Sequence, residues 1–194
     1  MCLAINHVNQ RRGFMRKTLR AGVVVGMAVV FSAGLVVSSG QAEDISKEAA
    51  IKMVLATAKA ARTVYVKGII GKAKKGGVKP SEKWVKEDHA IMLPAQFIKA
   101  IGAEIKDFEL SLVGTYPLYK ANAAKTDAEK KALATLANGK KKMITFTDGK
   151  MTKGMSADFA IVQGCADCHN KHPKTTKTDW KKGDFMGAII VRMR

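Results

Sequence analysis

Cysteine is almost missing from this chain: Cys2, Cys165 and Cys168 are the only three in 194 residues. Three thiols cannot build a disulfide-stapled miniature scaffold or a four-cysteine zinc site. Acids are also scarce, 16 Asp+Glu against 34 Lys+Arg for a net charge of +18, and none occurs before Glu43. Aromatic residues make up 6%, which leaves little for base stacking, so the basic charge does not by itself indicate nucleic acid. Long apolar runs reduce to one, Ala21 to Val37. What is abundant is ordinary core-forming material, 47% hydrophobic residues, too many for a disordered tail. The length suits one domain with a segment to spare.

The spare segment is residues 1–42. Arg11, Arg12, Arg16, Lys17 and Arg20 precede the apolar run, and Ser38-Ser39-Gly40-Gln41-Ala42 follows it with small residues. These are the n-, h- and c-regions of a secretory signal peptide. The alternative is an N-terminal membrane anchor through residues 21–37, since 17 residues lies at the lower edge of a bilayer span. Arg11-Arg12 also resembles a twin-arginine export signal. Either way residues 43–194 are expected outside the cytoplasm, in the periplasm. Without the five n-region cations, 29 basic and 16 acidic residues remain, a net +13, and the cysteines reduce to Cys165 and Cys168.

Along residues 43–194 the pattern begins helical. Ile51, Val54, Leu55, Ala58, Ala61, Tyr65 and Ile69 recur at three- and four-residue steps, which predicts one long amphipathic helix from Ser46 to about Ile70. Lys72 to Pro80 reads as a loop, and Pro94 opens a second helix, to about Ile105, that buries Phe97, Ile98 and Ile101. Phe108 to Val113 is a strand candidate. Thr126-Asp127-Ala128-Glu129 is a capping box for a third helix, ending near Asn138-Gly139. Strand candidates follow: Met143 to Thr147 and Met151 to Met155, joined through Asp148-Gly149, then Phe159 to Val162 and Phe185 to Met193. Helices first and strands later favour an α+β domain with helices covering one face of a small antiparallel sheet.

Cys165-Ala166-Asp167-Cys168-His169 is the C-x-x-C-H pattern of covalent c-type haem attachment. Two thiols three residues apart can each add to a vinyl group on one edge of the porphyrin, and the adjacent imidazole can then ligate the iron. Three other chemistries compete. A thioredoxin-like pair wants a βαβ setting, a zinc site would have to recruit His89 and His172, and a disulfide across two residues leaves His169 unexplained. His169 is the axial ligand by position. For the opposite face His89 is the leading candidate, with Met92, Met151, Met155 and Met186 as thioether alternatives and a vacant or water-bound position also open. His172, three residues from His169, is too near to reach the other face. Trp180 is a candidate for packing on the porphyrin. No distal acid–base pair is evident beyond His89, so no enzyme activity is expected.

The stretch from Cys165 to Arg194 resembles the PAS-like, single-haem c-type domain found outside the membrane in bacterial sensor kinases, cyclases and chemoreceptors, and as stand-alone proteins. The matching features are the motif followed by Asn170 and His172-Pro173, then Asp179-Trp180-Lys181, Gly183-Asp184 and Gly187; upstream, Leu93-Pro94-Ala95 and the run from Ser111 to Tyr119 before Asn122 are similar. The resemblance implies a PAS-like antiparallel sheet flanked by helices behind a long N-terminal helix, a covalent haem in its pocket, and redox or diatomic-gas sensing. Some members take a distal cysteine from the N-terminal helical region; here none lies between Glu43 and Gly164.

Two functions follow as expectations. One is an exported monohaem c-type cytochrome in electron transfer, its lysines steering it to an acidic redox partner protein. The other is a haem-based redox or NO/CO/O2 sensor reporting through a membrane-bound signalling protein, with association of two chains into a homodimer left open.

Overall fold

The computed structural model describes residues 44–194, all in the second of two units that meet at Ala42–Glu43; the expected signal or anchor lies outside the described residues. Ser46 opens the first helix, its Oγ accepting the Ala49 N–H at 3.2 Å, the ordinary role of an N-cap serine. Helix α1 (Lys47–Val64) runs without a break into a π-helical segment, Tyr65–Ile70, and then α2 (Gly71–Lys75). The π segment explains one departure from the expected stripe. Ile51, Leu55, Ala58 and Arg62 are buried as the period requires, but the extra residue per π turn rotates the later positions, so Val66 and Ile70 go inside and Ile69 is turned to solvent. A second departure is that residues 72–75, expected in a loop, continue the helix. The chain turns only at Gly77, φ +81°, into strand β1 (Lys79–Ser81), which pairs in parallel with β2 (Ala90–Met92).

Helix α3 (Pro94–Glu104) begins at the expected proline. Of its three expected core residues Ile98 is fully buried, and Phe97 and Ile101 are partly so. Strand β3 (Glu109–Gly114) follows, then helix α4 (Asp127–Ala137), then β4 (Met143–Asp148) and β5 (Met151–Phe159). The β4–β5 hairpin pairs Asp148 with Met151, so the turn residues are Gly149, φ +61°, and Lys150. The expected strand at Phe159–Val162 does not form; β5 absorbs Phe159 and the chain then leaves the sheet. Residues 160–184 carry helix α5 (Gln163–Lys171) and return to β6 (Phe185–Met193).

The main sheet is antiparallel in the order β3-β6-β5-β4. Its two faces are read directly from alternation along β6. Ala188 and Ile190 join Met155, Ala157 and the α4 residues Ala132, Leu133 and Leu136, whereas Ile189 and Val191 join Ile51, Leu55 and Ile98 from α1 and α3. The domain is therefore α+β, as expected, but helices cover both faces rather than one. The reason is that β5 and β6 are apolar on both sides, and both sides must leave water.

Candidate haem-attachment site

Helix α5 places the motif. Cys165, Cys168 and His169 stand at i, i+3 and i+4, spacings that share one face of an α-helix, so both thiols and the imidazole are presented together. The turn is held by the Cys165 N–H donating to Val162 O at 2.9 Å and by Gln163 Nε2 donating to Asp167 Oδ1 at 2.8 Å. Both thiols are free, with no disulfide between them. Burial pushes the Cys168 thiol above its ordinary pKa, and the nearby charges of Glu82 and Cys165 add to this. A catalytic redox cysteine needs the opposite shift. The helix also joins two antiparallel neighbours, β5 and β6, not parallel strands. Both facts turn the site away from thioredoxin chemistry.

His169 is held neutral. Burial lowers its pKa first, and His172 and Arg62 lower it further; a neutral imidazole is the form that ligates a metal. Its Nδ1 is buried with no hydrogen-bond partner among the described residues. An unpartnered buried nitrogen on the same helix face as two free thiols fits a ligand that the protein itself does not supply. Among the described residues no group of three His, Cys, Asp or Glu side chains converges as a metal site, so His89 and His172 do not complete a zinc set with the cysteines.

Trp180 is brought to the motif. It is 5% exposed, clusters with Ala160 and Ala166 against Cys165 and Met186, and lies edge-on to the His169 ring at 6.3 Å between centroids. Asn170 fixes it there through its backbone: Nδ2 donates to Trp180 O at 3.0 Å, and the Trp180 N–H donates to Oδ1 at 2.9 Å.

The candidates for the opposite iron face are dispersed. His89 is exposed between β1 and β2, with φ +52°, and its carbonyl accepts from Lys79 N; it makes no hydrogen bond or ring contact with the motif residues. Met155 is fully buried under α4 as core. Met151 begins β5, roughly 26 Å from Phe159 at about 3.3 Å per strand residue. Met92 lies in β2, its carbonyl accepting from the Tyr65 hydroxyl at 2.8 Å. Met186 alone of these packs in the Trp180 cluster. His172 is taken up at the rim, where Glu82 accepts from the Tyr119 hydroxyl at 2.9 Å and lies 3.4 Å from His172 Nε2.

Sequence reasoning passed over Arg62 and Asp158. Arg62 is 7% exposed at the end of α1, and its Nη1 lies 2.8 Å from Asp158 Oδ1 on β5. The signal was present: a charged residue at position 62 continues the 51, 55, 58 stripe, where only apolar residues belong.

Comparison with known proteins gives the family of the chain. The crystal structure of the cyanobacterial heme-protein Tll0287 superposes with a TM-score of 0.49 at 17% identity, covering 77% of this chain and 96% of that one. No curated protein matches the chain. The Tll0287-like family model, described as Tll0287, matches residues 4–194; the chain belongs to the Tll0287-like family.

Proposed function

We propose that the protein is an exported monohaem c-type cytochrome acting in electron transfer, with one haem c bound through Cys165 and Cys168 and ligated by His169. The observation that carries this is the convergence on one face of α5 of two free thiols and a neutral, half-buried imidazole whose Nδ1 has no hydrogen-bond partner among the described residues. The solved relative is a cyanobacterial heme-protein, and the n-, h- and c-regions of residues 1–42 support delivery to the periplasm, where haem is attached. We also read the helix-flanked antiparallel sheet as PAS-like.

Bound there, haem would supply one-electron chemistry at its iron. The chain's own part is to hold and shield. Cys165 and Cys168 would hold the group as thioethers, S and H of each thiol adding across one vinyl double bond with no change in overall oxidation level. Burial keeps His169 unprotonated for the iron, Asn170 fixes Trp180 beside it, and the exposed lysines Lys171, Lys174, Lys181 and Lys182 face an acidic partner.

The test is a pyridine haemochrome assay on the exported full chain. One covalent haem per chain is expected, with complete loss in the Cys165→Ala/Cys168→Ala double variant. Wild-type protein free of covalent haem would refute the assignment.

A second reading, a haem-based redox or diatomic-gas sensor acting through a membrane-bound partner, is favoured by the π segment Tyr65–Ile70. Such insertions recur at functional positions, and this helix comes close to the motif, since a Cβ on Gly164 would lie 3.9 Å from Lys74 Nζ. Carbon monoxide added to the ferrous protein separates the two: a shifted spectrum favours sensing, an unchanged low-spin spectrum electron transfer.

A further inference from the structure

Arg62 is a buried cation with unsatisfied hydrogen-bond donors. It occupies the apolar register of α1 at 7% exposure, and a guanidinium carries five N–H donors, all needing acceptors once out of water. Although Nη1 approaches Asp158 Oδ1 to 2.8 Å, neither Nη1 nor Nε has an acceptor in hydrogen-bonding geometry among the described residues. Asp158 is also a weak counter-ion. Burial pushes its carboxyl up, and Arg62, Lys59 and the Phe159 N–H offset this only in part. The position therefore holds a buried guanidinium with unused donors, the arrangement that receives a carboxylate or phosphate.

Its surroundings narrow the ligand. Regular pairing of β5 breaks at Asp158/Phe159, and two residues beyond Asp158 the buried Ala160 packs in the cluster with Ala166 and Cys165. Thr63 and Phe159, the chain neighbours of Arg62 and Asp158, line an open groove of about 480 Å³ that Ala160 also lines, and its charged residues are Lys67, Lys142 and Lys182. Arg62 itself does not line that groove, but its charge acts on the His169 imidazole, which sets it near the attachment helix.

We propose that Arg62 binds a carboxylate of the haem, one of its two propionates, through a bidentate charged hydrogen bond. The inference rests on the haem assignment above and extends it to a residue outside the motif.

The experiment uses the full-chain holoprotein carrying haem labelled with carbon-13 at the propionate carboxyls, compared as wild type, Arg62→Gln and Arg62→Lys by reduced-minus-oxidised infrared difference spectroscopy. The labelled carboxylate band is expected to shift in Arg62→Gln. The equilibrium constant for reduction should also fall about tenfold, about 59 mV for one electron, because a nearby cation favours the ferrous state. Arg62→Lys should recover most of the potential but not the band position, since an ammonium cannot reproduce the two-point contact; should Arg62→Gln not fold, the band in Arg62→Lys decides. A band unmoved in both variants overturns the proposal. So does an unmoved band together with a changed C–O stretch in the ferrous CO complex, which would place Arg62 at the iron. Wild-type protein without covalent haem by haemochrome removes the assignment on which the inference rests, whereas full covalent haem with an unmoved band removes the inference alone.

Discussion

Glu129 shows how single residues decide this fold. It stands on the first turn of α4 with no exposure, where Lys153 Nζ and Arg192 Nε reach its Oε1 at 2.8 and 2.6 Å and Arg192 Nη2 reaches Oε2 at 2.9 Å. Burial alone would raise its pKa, but Arg192, Lys153 and the Lys125 N–H outweigh that and hold the carboxyl at about 2. A carboxyl depressed on folding stabilises above its unfolded value and loses that contribution as pH falls toward the folded one. Stability should therefore decline between about pH 5 and about pH 2. Glu129→Gln should be less stable at neutral pH with a flatter acid limb in urea melts, and Glu129→Ala should cost about 3–5 kcal/mol by leaving two cations unpaired. The sequence marks this site in a way the capping-box reading only half catches. Thr126 Oγ1 does accept from Glu129 N at 3.2 Å, but the carboxylate accepts from Lys125 N instead of closing the box. Lys153 and Arg192 are directly paired across β5 and β6, each a charge on the α4 face, and cations interrupting an apolar alternation require a buried acid. Arg62 belongs to the same class: its register was legible, its partner was not, because Asp158 is nearly a hundred residues away in the chain.

Among the elements, those with strong local signals were readable. Ser46, Pro94 and Thr126 each begin a helix where their capping chemistry requires, and Gly139, φ +77°, follows the end of α4. The π segment was not readable, because one inserted residue leaves composition unchanged and shows only in which of Ile69 and Ile70 is buried. The second helical layer was missed because burial of both sheet faces appears only once β5 and β6 are known to be central. The α1–β5 contact depends on Gly154. A Cβ there would overlap Ile51 Cγ2 and meet Leu55 Cδ1 at 3.1 Å and Ile144 O at 3.3 Å. Gly154→Ala should therefore destabilise the domain by about 1–3 kcal/mol, read as a lower urea midpoint with unchanged slope. Because α1 carries Arg62 and leads into the π segment, the same variant should disturb the haem spectrum before it unfolds the protein. A midpoint equal to wild type would mean that α1 does not press on β5 this closely.

At the scale of the whole molecule, charge separates the two functional readings. The net charge is +18 for the chain; its lysines are spread over the domain, and those exposed near the attachment helix include Lys67, Lys72, Lys74 and Lys75 on the π segment and α2, and Lys171, Lys174, Lys181 and Lys182 around α5. A strongly positive field raises encounter rates with anions by roughly 10- to 1,000-fold, and the gain vanishes as salt screens it. An electron carrier uses that field at every turnover, whereas a gas sensor, whose ligand is uncharged, does not. Oxidation of the ferrous protein by anionic hexacyanoferrate(III) should slow by about tenfold or more as salt rises from about 10 mM to about 500 mM, while a cationic cobalt(III) oxidant should accelerate. Replacing Lys171, Lys181 and Lys182 with glutamate should remove most of the low-salt advantage for hexacyanoferrate and leave the high-salt rate unchanged, with the haem spectrum as the control for an intact site. If both oxidants instead respond weakly to salt, the lysines do not guide electrons to this haem. The charge would then be a property of the surface at large, and the sensing reading would take precedence.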